Sequence, residues 1–181
     1  FKPIGNIHKL LFYKGISFAV VLFIINLNYK IDIMMMDVMI DSAEVGIYSV
    51  GVTFAELLWQ VPSAVGMVLF AKSAVTNNQI NSVERSTRIL RIVLPIMLLA
   101  SFIMAIFAPL VIQMFYGFEF ATAGDILRIL LPGICFITIS KILHPDLSAR
   151  GYPLYALKVF IISLIINIAL NLLLIPKYGM Y

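Results

Sequence analysis

Charged residues are scarce in this chain. They make up 12% of its 181 residues, whereas hydrophobic residues make up 62%, and the mean hydropathy is +1.03. A water-soluble domain of this size covers much of its surface with polar side chains. The composition therefore excludes a water-soluble domain. The single cysteine, Cys135, excludes a disulfide framework within these residues. The sequence therefore predicts a protein whose solvent is lipid.

Motifs for catalysis are also missing. No GxxxxGK[ST] phosphate loop occurs, which excludes ATP hydrolysis within these residues. His8 and His144 have no partners at metal-ligand spacing, so neither a metal site nor a cofactor is predicted. The short connections leave no room for a soluble catalytic domain. The sequence thus indicates a protein that is not an enzyme, and its net charge of +4 reflects topology rather than nucleic-acid binding.

Five long apolar segments fill most of the chain. A bilayer core about 30 Å thick requires roughly 20 mainly apolar helical residues. Merging the apolar runs across single charges predicts spans over residues 11–34, 45–71, 89–113, 123–143 and 155–175. His144 and Pro145 are predicted to end the fourth span, because proline disfavours helix at the preceding residue. The longest predicted connection, from about Lys72 to Arg88, is polar and is interpreted as a solvated loop that runs into a helix start, with Ser82 three residues before Arg85. These features predict an all-α polytopic membrane protein.

Basic residues are distributed unevenly between the two ends of the predicted spans. If the spans alternate in direction, ten lie at one end and three (Lys30, Arg128 and Lys177) at the other, among most of the acidic residues. The ten are Lys2, Lys9, Lys14, Lys72, Arg85, Arg88, Arg91, Lys141, Arg150 and Lys158. Short loops rich in Lys and Arg stay in the cytoplasm. The start of the chain is therefore predicted to be cytoplasmic and Tyr181 to lie outside. Because the chain opens on Phe1 and ends just beyond the last span, we expect a piece of a longer bundle.

A polar stripe runs along the second span. Ser49, Thr53, Glu56, Gln60 and Ser63 follow one another at steps of three or four residues, which places them on one helix face. Two interpretations remain open. The stripe is either an interhelical hydrogen-bond seam or the lining of an aqueous cavity, with Glu56 as a proton or cation site.

A second stripe follows the fifth span, where Ser163, Asn167 and Asn171 are four residues apart. Such side chains bond to sugar hydroxyls or to a neighbouring helix, and structural packing is the favoured interpretation. At the outer end of the fourth span, Asp125 and Arg128 are three residues apart and are predicted to pair locally.

The first span ends in a charged segment. Asn26 and Lys30 share a face, and Asp32 follows before three methionines. In one interpretation Lys30 extends to the outer interface and pairs there. In the other, the helix continues past the interface toward Ile40, and Lys30 and Asp32 point into a cavity between helices.

Two segments carry a resemblance to a known family. Residues 44–74, EVGIYSVGVTFAELLWQVPSAVGMVLFAKSA, follow an acidic loop and open with the GxYS element. Residues 126–181 contain LLPG, then a Leu-x-Ala-x-Gly-x-Pro turn, then a closing segment from Asn167 to Gly179. In this order and spacing they resemble the bacterial polysaccharide-export flippases, the O-antigen or Wzx-like transporters of the multidrug/oligosaccharidyl-lipid/polysaccharide superfamily.

The resemblance implies a partial second lobe of a two-lobed, MATE-like or MurJ-like helix bundle, with the N-terminal lobe and the last helix or helices absent. It implies alternating-access transport of an undecaprenyl-diphosphate-linked glycan across the bacterial cytoplasmic membrane, for O-antigen, lipopolysaccharide or other surface polysaccharide. Coupling to H⁺ or Na⁺ is expected. Diphosphate requires cationic groups, and sugars require amides or hydroxyls. Lys30, with Asn26, is the candidate for the diphosphate contact, and the polar stripes of the second and fifth spans are the candidates for the sugar contacts. The candidate pathway residues are Asn26, Lys30, Asp32, Ser49, Thr53, Glu56, Gln60, Asn167 and Asn171.

Other functions stay open at this point. A MATE-type cation or drug antiporter shares the expected fold, but here the polar positions are amides and hydroxyls as often as acids. A lipid II flippase is another relative. The membrane segment of a glycan polymerase or ligase fits less well, because such enzymes need a longer outer loop than these short connections supply.

Overall fold

Five long helices form the protein. The computed structural model describes residues 5–75 and 79–181; Lys2 and the side chains of His8 and Lys14 lie outside what it describes. The elements are α1 (Gly5–Met39), α2 (Ser42–Ala74), α3 (Gln79–Tyr116), a short 3₁₀ helix (Phe118–Phe120), α4 (Ala123–Ala149) and α5 (Pro153–Tyr178). Each α-helix is long and apolar enough to cross a membrane, and the described ranges contain no strand. The predicted all-α polytopic fold is confirmed.

The helices form because a lipid environment offers no hydrogen bonds to the backbone, so each segment must satisfy its own peptide groups. Their outward faces are apolar. Phe102, Ile106 and Leu110 lie four residues apart on α3 and are all more than half exposed, at 66%, 55% and 64%. Gly117 and Gly151, with φ of 90° and 93°, lie in the turns that lead out of α3 and α4, a conformation that glycine adopts without a steric penalty.

The prediction that His144 and Pro145 end the fourth helix is wrong. α4 continues through Pro145 to Ala149. A proline removes one backbone donor, but it is tolerated inside a membrane helix where neighbouring groups satisfy the freed carbonyl. Here the ring of Pro145 packs beside α2, close to Gly66.

The predicted long connection from Lys72 to Arg88 is also wrong in length. α2 continues to Ala74 and α3 already begins at Gln79. The helix start that the sequence predicts near Ser82 is present but lies slightly earlier, so that Asn81, Ser82 and Glu84 are on the first turns of α3. Thr76, Asn77 and Asn78 lie outside the described residues.

The core lies where α2, α3 and α4 meet. α2 and α4 approach closely, because Gly51 and Gly66 of α2 lie directly against the α4 backbone. The buried apolar cluster between these three helices contains Val50, Phe54, Ala55, Met97, Ala108, Ile112, Ala123, Leu127, Leu131 and Ile134. α1 packs mainly against α5. A smaller cluster of Met36, Val45 and Ile175 joins α1, α2 and α5 at the predicted outer end.

Candidate functional site

Two cavities lie end to end among α1, α2, α4 and α5. The larger has a volume of about 370 Å³, and the smaller, toward the predicted outer end, has about 160 Å³. Asp32 and Leu130 line both. Because all four helices contribute to the walls, the cavities occupy the space between the α2–α4 core and the α1–α5 pair.

The wall of the larger cavity carries polar groups from three helices. They are Asn28 and Asp32 of α1, Ser140 of α4, and Ser163 and Asn167 of α5. The Asn28 amide also donates to the Phe160 carbonyl at 3.4 Å, which links α1 to α5. Such groups are costly in a membrane unless they face protein or water. The cavity therefore offers hydrogen-bond donors and acceptors to a polar ligand.

Asp32 lies at the junction of the two cavities. Its Oδ2 accepts a hydrogen bond of 2.7 Å from the Tyr48 hydroxyl, while its Oδ1 is buried without a hydrogen-bond partner among the described residues. On α5, the Asn171 amide donates to Asn167 Oδ1 at 2.7 Å. Since Asn167 lines the larger cavity and Asn171 the smaller one, a strip of polar groups continues from one cavity to the other.

Lys30 and Glu56 form an ion pair that joins α1 to α2. The Lys30 Nζ lies 2.6 Å from Glu56 Oε1, and the two side chains are 53% and 27% exposed. α1 does continue to Met39, as one interpretation of the sequence required. Of the two charged residues that this interpretation points into a cavity, Asp32 lines the cavities, whereas Lys30 is matched by a carboxylate on the next helix.

The polar stripe of α2 bonds mostly to its own helix. Ser49 donates to the Val45 carbonyl at 2.7 Å, and Thr53 donates to the Ser49 carbonyl at 2.8 Å. Ser63 donates to the Trp59 carbonyl at 2.9 Å. Side-chain hydroxyls in helices commonly bond to the carbonyl four residues earlier. These hydroxyls therefore form no seam of side-chain hydrogen bonds to a neighbouring helix.

Six of the nine predicted pathway residues lie outside the walls of the two cavities, and two of these six are the paired Lys30 and Glu56. Asn26 is exposed and its amide donates to the Leu22 carbonyl at 2.8 Å. Thr53 and Gln60 are exposed, and Ser49 is half-buried outside the cavity walls. The structure brings Asp32, Asn167 and Asn171 together around the cavities and pairs Lys30 with Glu56. The predicted local pair of Asp125 and Arg128 is confirmed, at 3.0 Å.

A group of aromatic side chains that was not predicted from the sequence lies at the predicted cytoplasmic end of the larger cavity. The Tyr29 ring lies 5.6 Å from the Trp59 ring and 6.4 Å from the Phe160 ring, centroid to centroid. The Lys141 ammonium lies over Tyr29, at 4.2 Å from the ring centroid. The sequence does contain a signal for this group, namely a lysine and aromatic residues within apolar spans. The sequence analysis used Lys141 only to orient the spans in the membrane.

A buried ionic cluster joins α2 and α4 at the same end of the bundle. The Ser73 hydroxyl donates to Asp146 Oδ1 at 2.5 Å, and Arg150 Nη2 lies 2.8 Å from Asp146 Oδ2. The Asp146 side chain is fully buried. Sequence reasoning missed this cluster, although Asp146 and Arg150 are four residues apart on one helix; only Ser73 comes from a distant part of the chain.

Apolar helices of membrane-spanning length that surround a cavity with polar side chains on its wall are typical of membrane transport proteins. Comparison with family models agrees with this class: the model described as "Lipid II flippase MurJ" matches residues 12–181. The chain therefore belongs to the MurJ lipid II flippase family, which is a family of transporters. The narrower resemblance to the polysaccharide-export branch is not confirmed by this match. No curated protein and no solved structure matches the chain.

Proposed function

We propose that this chain is part of a flippase that moves an undecaprenyl-diphosphate-linked glycan between the leaflets of the bacterial cytoplasmic membrane. The observation that carries the proposal is the partly open cavity of about 370 Å³ between membrane-spanning helices, whose mainly apolar wall carries polar side chains from three of them, in a chain of the MurJ family. A lipid-linked glycan needs such a space, because its tail can stay in the bilayer while its polar headgroup cannot cross apolar lipid.

The size of the cavity limits what this part of the protein does. About 370 Å³ is near the lower end of the range for small-molecule pockets, which are roughly 300–1,000 Å³. A whole glycan headgroup with its diphosphate requires more room. We propose that a second lobe supplies the facing wall and that the two lobes alternate in exposing the cavity, driven by an H⁺ or Na⁺ gradient. The uneven distribution of basic residues supports a cytoplasmic start of the chain.

Two glycans are candidates for the headgroup. The family description favours lipid II, the substrate named for the matching family. The order of the LLPG, Gly-x-Pro and Asn167–Gly179 elements favours a second candidate, the repeat unit of a surface polysaccharide such as O-antigen. In both cases the diphosphate and the polyprenyl tail are shared, so the sugar is the distinguishing part.

The test is transport by the full-length protein in liposomes. One set of liposomes contains fluorescent lipid II, and another contains a fluorescent undecaprenyl-diphosphate oligosaccharide. Transfer between leaflets is measured by the accessibility of the fluorophore to a membrane-impermeant quencher. Protein-dependent transfer of either lipid supports the proposal, and the faster one identifies the sugar. Transfer of neither lipid, with uptake of a cationic dye in exchange for H⁺ or Na⁺, contradicts it and indicates a drug antiporter.

The Lys30–Glu56 pair provides a prediction for transport. In the full-length protein, Glu56→Gln is expected to reduce transport several-fold at unchanged abundance, because it leaves the Lys30 charge without a partner in the membrane. Lys30→Glu is expected to be worse, since it places two carboxylates together. The double variant Lys30→Glu/Glu56→Lys restores the pair and is expected to recover most of the rate. A reversed pair that transports no better than the worse single variant would show that the individual side chains, rather than their pairing, are required.

A further inference from the structure

Lys141 is a cation within a membrane-spanning helix that is held by aromatic rings. Its Nζ lies 4.2 Å from the centroid of the Tyr29 ring and 5.6 Å from that of the Trp59 ring. No carboxylate among the described residues forms an ion pair with it, whereas Lys30 and Arg150 each pair with one. Lys141 therefore differs from these cations in having no ion-pair partner among the described residues.

Lys141 does not itself line the cavity, but its ammonium lies over two rings that do. Tyr29 and Trp59, the two rings beneath it, both line the 370 Å³ cavity, and so does the preceding residue, Ser140. One turn further along α4, His144 Nε2 is buried without a hydrogen-bond partner among the described residues. The predicted cytoplasmic end of the cavity thus combines an ammonium with further nitrogen and hydroxyl groups.

Energetics favour an anionic ligand at this position. A cation–π contact is worth about 0.5–2 kcal/mol and leaves the three N–H donors of the ammonium unused. Hydrogen bonds between an ammonium and phosphate oxygens are charge-assisted and roughly twice as strong as neutral ones. The rings therefore hold Lys141 in place between binding events without competing for a phosphate.

We propose that Lys141, positioned by Tyr29 and Trp59, binds a phosphoryl group of the polyprenyl diphosphate, and that the adjoining cavity receives the sugar attached to it. This inference rests on the proposed function and names the group that takes up the charged part of the substrate. Asn28, Ser163 and Asn167 then lie on the cavity wall as hydrogen-bond partners for sugar hydroxyls. Lys30 is the residue that the sequence predicts to contact the diphosphate, but its charge is already matched by Glu56.

The test compares two lipids that differ only in charge. Binding of undecaprenyl diphosphate and of undecaprenol to the full-length protein in nanodiscs is measured for the parent protein and for Lys141→Gln. The variant is expected to weaken diphosphate binding about tenfold or more, with undecaprenol binding unchanged. Lys141→Arg is expected to retain diphosphate binding. Lys158→Gln, which removes an exposed lysine of α5, is the matched control and is expected to change neither.

A second measurement needs no variant. Undecaprenyl diphosphate is expected to slow the acylation of Lys141 by an amine reagent, followed by mass spectrometry, while Lys158 reacts at an unchanged rate. Equal weakening of both lipids by Lys141→Gln, or unchanged diphosphate binding together with no protection of Lys141, would overturn this inference while transport by the parent protein stands. Failure of the parent protein to transport either glycan lipid would instead overturn the proposed function.

Discussion

Gly66→Ala is expected to prevent normal packing of α2 against α4 and to lower the yield of folded protein sharply. A Cβ at Gly66 would overlap the carbonyl oxygen of Lys141 and would lie 3.2 Å from the Pro145 ring. The obstacle is backbone, which cannot rotate away as a side chain does, so the two helices must separate. Inserting extra atoms into a close-packed contact costs about 1–3 kcal/mol, and occasionally more.

The matched control for this variant is Gly46→Ala. Gly46 lies on the same helix, but a Cβ added there meets nothing within 4 Å, and alanine is the better helix former by about 1 kcal/mol. The measurement is the amount and thermal midpoint of monodisperse protein after detergent extraction. Gly66→Ala is expected to lose several degrees in Tm, and Gly46→Ala to lose nothing. Equal behaviour of the two variants would mean that α2 and α4 are not in the close contact described.

The same contact explains how the site is positioned. The carbonyl that leaves no room for a Cβ at residue 66 belongs to Lys141 itself. Trp59 lies two turns before Gly66 on α2. Close approach of these helices therefore fixes the distance between the Lys141 ammonium and the Trp59 ring. Loosening it with Gly66→Ala is expected to disturb the cavity end as well as stability, so this variant is unsuitable as a test of ligand binding.

Composition was enough to predict the number and type of the helices, because a membrane helix must be apolar along about 20 residues. It was not enough to predict where α4 ends. Pro145 disfavours helix locally, but tertiary contacts with α2 override that preference, and α4 extends to Ala149. The start of α3 was predicted slightly late, near Ser82 instead of Gln79, because polar residues at the end of a membrane helix give little signal for where the loop stops and the helix begins.

The site was harder to predict than the fold. A stripe of polar residues identifies one face of one helix, but not what lies opposite. Thr53 and Gln60 share a stripe with Glu56, yet only Glu56 has a charged partner on another helix. Asp32 and Asn167 meet at one cavity although they are far apart in the chain. Such pairings depend on how α1 and α5 pack together, which spacing along a single sequence does not contain.

Asp146→Ala is expected to destabilise the protein more than any other single loss of charge in the described part of the chain. Asp146 is fully buried and lies 2.8 Å from Arg150, whose side chain is only 15% exposed. Removing one partner of a buried ion pair leaves the other charge uncompensated, which costs about 3–5 kcal/mol. The Ser73 hydroxyl also loses its acceptor. Asp125→Ala is the control, because the 56% exposed Asp125 is expected to contribute no more than about 1 kcal/mol.

The double variant Asp146→Leu/Arg150→Met separates an unpaired charge from a general packing defect. Replacing both members of a buried pair by apolar residues of similar size is often neutral or stabilising. It is therefore expected to recover most of the Tm lost in Asp146→Ala, measured on detergent-extracted protein. If the double variant were as unstable as Asp146→Ala, the cluster would matter through the Ser73–Asp146 hydrogen bond between α2 and α4 rather than through charge balance. Recovery would show that the ion pair is required only because each charge needs the other, since the Asp146 side chain is fully buried and that of Arg150 is only 15% exposed.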